Sequence, residues 1–145
     1  RYSILCYPLS IKYFISSGGT HMSNQSKLLL FHIDPAKRRQ IENLCHSLHI
    51  TVLSVKRTSY SQTLGYLAGI SGFARQNISY NGPEFPSEML VFCGMDSETI
   101  DAFLAAYKKA SIPPIGLKAI LTQHNIFWSA ETLYKELFKE HTSLH

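Results

Sequence analysis

Lys118 lies inside an apolar run, Ile115 to Leu121, and the short polar loop Thr122-Gln123-His124-Asn125 follows at once. A lysine in such a run can bind an anion. Once desolvated, it can also serve as a base or nucleophile with a lowered pKa. Thr122 and Asn125 fall just past the carboxyl end of the run, the place where open α/β sheets hold ligands. Phe127 and Trp128 then lead to Ser129, the expected N-cap of a last helix, whose first N–H groups and partial positive charge suit an anion. Lys118, Thr122, Asn125 and Trp128 are therefore the candidate ligand-binding set, fitted to a phosphate or a carboxylate.

Ordinary structural roles compete with each of them. An edge-strand lysine guards against strand pairing or snorkels to water. Thr and Asn bond their own backbone in turns. Trp128, the only tryptophan, can staple onto Leu133 instead of offering a stacking surface. No Gly-rich phosphate loop accompanies the set. His124 has no acid or nucleophile spaced beside it, so no catalytic residue is assigned and an enzyme acting through Lys118 is the alternative. Cys45-His46-x-x-His49 matches neither a zinc nor a haem-attachment pattern, because Cys45 falls on the apolar helix face and His46 off it. No metal ligands are assigned, and the cofactor is left unknown. Cys93 reads as a packed apolar residue.

The elements that position these residues follow from length and pattern. A chain of 145 residues, 45% hydrophobic and 17% charged, has the material for one core. Its three cysteines form no framework and fit a reducing, cytoplasmic setting. Residues 1–21 are apolar and aromatic but interrupted by Pro8 and Lys12. They match neither a signal peptide nor a bilayer span. Gly18-Gly19 can be encoded by ribosome-binding-site-like codons just upstream of Met22, so 1–21 is expected to be a translated leader, with one domain over 22–145. Without Arg1 and Lys12 the net charge of +4 falls to +2, weak support for nucleic-acid binding.

Within that domain one order occurs twice, in halves 28–70 and 88–141 joined by a linker over 71–87. Leu28 to Ile33 is a continuous apolar strand, Asp34-Pro35 opens a helix, and Thr51 to Val55 is a second strand. A second helix is expected from about Ser59, with Tyr60, Leu64 and Leu67 on one stripe. Met89 to Cys93, a helix capped by Asp96, and Ile115 to Leu121 repeat the scheme. Lys56 and Lys118 fall at the same point when the halves are aligned. The expected fold is α/β: tandem βαβα repeats forming one four-stranded sheet, strands one and three central and two and four at the edges. Two topologies satisfy this. In one, all strands are parallel in the order 2-1-3-4. In the other, an α+β ferredoxin-like sheet with extra helices, strand three enters antiparallel between one and two. So apolar a sheet needs cover on both faces, from its own helices or from a second subunit. The linker, long and without apolar periodicity, is either functional or mobile.

The chain from roughly Lys27 to His141, most strongly from Glu88 onward, resembles the bacterial family catalogued as domain of unknown function 3783. The resemblance rests on the strand followed by an Asp-capped helix, Lys118-Ala119 before Leu121-Thr122, and Asn125 with Trp128 ahead of Leu133 and Glu136. The segment Gln62-x-Leu64-Gly65-x-Leu67 is similar to the region such proteins carry upstream. The resemblance implies a small cytoplasmic bacterial protein and supplies no activity. The expected function is a binding or regulatory module, self-associating, that holds a small anionic ligand. RNA binding on the basic first half (Lys37-Arg38-Arg39, Lys56-Arg57) is the weaker alternative, since the aromatic strand signature of the common RNA-recognition fold is missing.

Overall fold

The computed structural model describes residues 26–143; the expected leader, residues 1–21, lies outside them. The elements are β1 (Lys27–Phe31), α1 (Pro35–Ser47), β2 (Thr51–Val55), α2 (Leu64–Leu67), β3 (Met89–Cys93), α3 (Ser97–Lys109), β4 (Leu117–Ile120) and α4 (Ala130–Ser143). They form an α/β fold: one mixed, open, four-stranded sheet with the four helices packed on it.

The sheet order is β2-β1-β3-β4, with β1 parallel to β2, β3 parallel to β4, and β1 antiparallel to β3. The order is thus that of the expected parallel sheet, but strand three runs the other way, and it does not enter between strands one and two. The linker explains the reversal. After β2 the chain stays near the end of the sheet where β1 finishes, held by Tyr80 N–H to Thr58 O (3.1 Å), Arg57 Nη1 to Gly82 O (2.6 Å) and the Tyr60 hydroxyl on Glu84. Strand β3 therefore starts beside the end of β1, with Met89 opposite Phe31.

Apart from Lys27 at the start of β1, the two central strands are apolar, and Leu28 to Phe31 and Met89 to Cys93 are all buried. Their alternating side chains point to opposite faces, and the protein's own helices cover both. Phe92 meets Phe103 of α3 edge-on at 5.5 Å, on the face where α1 and α3 pack together. Phe31 faces the other way, onto Tyr60 and Phe85, and Phe85 stacks on Tyr134 of α4 at 4.2 Å.

Each parallel pair is joined by a thirteen-residue helix. Asp34 and Asp96 cap these helices by accepting from the N–H of Lys37 (2.9 Å) and Thr99 (2.8 Å). Left-handed residues end them, His49 (φ 60°) and Ser111 (φ 59°). The following Ile50 and Ile112 donate back to Cys45 O and Tyr107 O, a Schellman closure. A left-handed residue also follows each central strand: His32 (φ 62°) and Gly94 (φ 65°). The far ends of the halves bond reciprocally: Leu64 N–H to Trp128 O and Ala130 N–H to Gln62 O, Gly65 N–H to Ile126 O and Glu131 N–H to Tyr60 O. Thr63 and Ser129 face each other at the centre.

Two further expectations need correction. The second helix does not run from Ser59; a 3-10 turn at Arg57–Ser59 precedes a single helical turn at Leu64–Leu67. Thr63 caps that turn by accepting from Tyr66 N–H, and left-handed Gly69 (φ 75°) ends it. Nor do Lys56 and Lys118 take the same place. Lys56 follows β2, whereas Lys118 is the second residue of β4, because the connection through Pro113, Pro114 and Gly116 is longer than the one it was aligned with.

Candidate functional site

Thr122 and Asn125 are fully buried and build one turn between them. The Asn125 side-chain oxygen accepts from Thr122 N–H (2.9 Å). Thr122 Oγ1 accepts from the N–H groups of His124 (3.1 Å) and Asn125 (3.2 Å), and Asn125 Nδ2 donates to Ile120 O (3.1 Å). Asn and Thr often bond nearby backbone in this way. Trp128 belongs to the same corner, half-buried against the core with the His124 ring edge-on at 5.6 Å.

Lys118 is not part of that cluster. It sits four residues upstream, about 13 Å along an extended chain, and its ammonium turns back to donate to Ile115 O at 2.6 Å. Burial lowers its pKa. The structure thus gathers Thr122, Asn125 and Trp128 and leaves Lys118 toward the opposite end of the strand. Of the Cys45-His46-x-x-His49 group, Cys45 is buried and both histidines are exposed. Burial, with Glu42 nearby, pushes the Cys45 thiol up to about 12. Among the described residues no group of three His, Cys, Asp or Glu side chains is placed to hold a metal ion.

A cleft of about 680 Å³ opens at the carboxyl ends of β1 and β2, beside the first turn of α1 and the start of β3. Leu30, Ile33, Val55 and Pro86 give it apolar walls, and His32, Arg38, Ser54, Lys56, Arg57, Asp34, Glu84 and Glu88 bring its polar groups. The topology places it there. Parallel strands β1 and β2 end together, α1 leaves from one of them, and the antiparallel β3 brings Glu88 to the same end.

The three acids of the cleft are already engaged. Asp34 caps α1. Glu88 pairs with the nearly buried Lys37, whose Nζ donates to both carboxylate oxygens at 2.8 and 3.0 Å. Glu84 accepts from the Tyr60 hydroxyl and from Phe85 N–H (2.9 Å), with His32 Nδ1 at 3.7 Å. Burial first, and then this bond to Glu84, raises the pKa of Tyr60 far above the usual phenol range.

The cations are less committed. Arg38 donates from Nη1 to Ser54 Oγ (3.3 Å), and its Nε, 3.9 Å from a Glu42 oxygen, is buried without a hydrogen-bond partner among the described residues. Arg57 uses Nη1 on Gly82 O. Lys56 has no partner among the described residues. His32 stands at the rim, about half exposed, in a left-handed conformation that costs a non-glycine residue roughly 1–2 kcal/mol. The α1 terminus adds little: Pro35 has no N–H and Asp34 takes that of Lys37.

None of these cleft residues belongs to the set marked from sequence. The signal was present in the basic residues 37–39 and 56–57. The rule that pointed past the end of β4 points equally past the ends of β1 and β2.

Residues 88–144 match the model of a family described as Domain of unknown function (DUF3783). That segment runs from β3 through α4. It contains Lys118, Thr122, Asn125 and Trp128, and of the cleft residues only Glu88. No curated protein and no solved structure matches the chain. Among the described residues no helix is long and apolar enough to cross a membrane.

Proposed function

We propose that the protein is a small α/β binding or regulatory module that performs no chemistry itself and holds a small anionic ligand. The best-supported place for the ligand is the cleft at the ends of β1 and β2, rather than the turn at Thr122 and Asn125. One observation carries this reading. The cleft's acids are all satisfied by donors of the protein, while Arg38, Arg57 and Lys56 keep N–H groups directed to no carboxylate within it. An unfilled surplus of donors at the carboxyl end of a parallel strand pair suits an anion.

The test is a thermal-shift screen of phosphorylated metabolites, carboxylates, nucleotides and short RNA. A ligand at about a hundred times its dissociation constant stabilises the fold by roughly 2.7 kcal/mol, a shift of several degrees. The expected hit is an anion whose shift disappears in Lys56→Ala and persists in Lys118→Ala. A hit lost in Lys118→Ala or Trp128→Ala would transfer the ligand to the second half. Turnover lost with Lys118 would make the protein an enzyme. A flat screen would transfer the reading to a macromolecular partner, a second copy included; Phe127, 69% exposed beside Phe73, is apolar surface such a partner could cover.

A further inference from the structure

The two halves of the chain share a frame, and that frame allows each cleft residue to be compared with its counterpart in the same molecule. Asp34 answers to Asp96, His32 to Gly94 and His49 to Ser111, at one constant separation. The reciprocal bonds around Thr63 and Ser129 set the correspondence for the rest, so Ser54 answers to Ile120 and Lys56 to Thr122. Helix position Arg38 answers to Ile100.

The comparison is one-sided. Where the first half carries Arg38, Ser54 and Lys56 around an open cleft, the second half carries Ile100, Ile120 and Thr122, all buried. Thr122 there is consumed by the turn it makes with Asn125. Where the second half solves the left-handed turn after its central strand with Gly94, the first half uses His32, whose side chain reaches the cleft rim. Folding alone is served by the choices of the second half. Among the positions at which the first half departs from them, His32, Arg38, Ser54 and Lys56 all line one cavity.

We propose that the halves are two versions of one βαβ unit, that the second is plugged, and that the first has kept its cleft open for a phosphomonoester, with Arg38, Lys56 and His32 as the residues that select it. This rests on the anion-binding reading above and names its ligand class. Three cationic side chains line the cleft, Arg38 from α1 and the neighbours Lys56 and Arg57 from just past the end of β2. Three charges suit the three terminal oxygens of a tetrahedral phosphoryl group better than the two of a planar carboxylate. The apolar walls and the volume leave room for an organic body larger than phosphate itself.

The second half also supplies the controls, since its residues are known to suit this frame. Isothermal titration of the full chain with inorganic phosphate, glycerol phosphate and malonate at equal ionic strength tests the proposal. Glycerol phosphate is expected to bind more tightly than malonate. Arg38→Ile should weaken it by about tenfold or more, as loss of a charge-assisted bond does, and Lys56→Thr should weaken it too. His32→Gly should weaken binding without lowering the melting temperature, because it relieves a left-handed strain; a residue kept for structure would do the reverse. Malonate binding as tightly, with the same dependence on Arg38, would overturn the phosphoryl assignment and leave the anion module standing. Binding indifferent to Arg38→Ile and Lys56→Thr would overturn both the selecting residues and the cleft. No heat with any of the three ligands at millimolar concentration would overturn the phosphomonoester reading.

Discussion

Tyr60 and Tyr107 show how burial tunes single groups away from the cleft's rim. Tyr60 is fully buried and bonded to Glu84; Tyr107 donates to Pro113 O at 2.5 Å, and burial, with Glu88 nearby, pushes its phenol up to about 12. A phenol whose pKa is raised in the folded state keeps its proton where the unfolded chain has lost it. The folded state then binds more protons than the unfolded one, and stability falls as pH rises above the unfolded value of about 10. Lys118 acts oppositely and earlier. Its pKa is lowered on folding, so the unfolded chain binds the extra proton and stability rises with pH between the folded value and about 10.5. Denaturant melts of the wild type between pH 8 and 12 should therefore show a rise followed by a fall. Tyr107→Phe should soften the fall and Lys118→Met should remove the rise; an unchanged profile in both would refute these assignments.

The linker owes its order to a few long-range bonds, not to periodicity. Gln62 is buried, and its side-chain amide spans the loop: Nε2 donates to Gln76 O (2.8 Å) and Ile78 O (3.3 Å), and the side-chain oxygen accepts from Gln76 N–H (2.8 Å). One side chain from the bend between the 3-10 turn and α2 thus stands in for a strand partner along a segment without regular structure. Gln62→Leu should cost about 1–3 kcal/mol, because it removes three part-buried hydrogen bonds to the loop backbone, each worth roughly 0.5–1.5 kcal/mol at most. It should also raise amide exchange at Gln76 while leaving β1 and β3 protected. Uniformly faster exchange would show that the loop and the sheet open together. Glycine at position 65 has a similar local reason. A Cβ there would run into the ring of Phe73, which lies across α2 and touches Phe127 at 5.1 Å.

The molecule as a whole is knitted at its centre by an antiparallel pair, one strand from each half, and by the reciprocal bonds between the segments before α2 and α4. Neither half can cover its own central strand. Residues 88–145, which contain the family-matched segment, are accordingly expected to lack a cooperative melt when expressed alone and to regain one when mixed with residues 26–87. Circular dichroism with heating decides this. A two-state transition in the isolated fragment would mean that the half folds by itself.

Much of this architecture could be read from the chain directly, because the deciding forces are local. The alternating stretch Thr51 to Val55 and the continuous apolar run Met89 to Cys93 marked β2 and β3 to the residue. Asp34 and Asp96 announced α1 and α3 through their side-chain oxygens, and the unbroken apolar runs from Leu28 and Met89 placed β1 and β3 at the centre. The turn at Thr122 and Asn125 was foreseeable as turn chemistry for the same reason. Other features depend on where distant segments meet. The direction of β3 depends on Tyr60, Arg57 and Thr58 holding the linker at one end of the sheet. The separation of Lys118 from Thr122 depends on which way the lysine turns within its strand. The cleft exists only because residues from β1, α1, β2 and the linker converge, and no spacing along the chain records that convergence. Local free energies select elements, whereas long-range closure selects their directions and the surfaces they share.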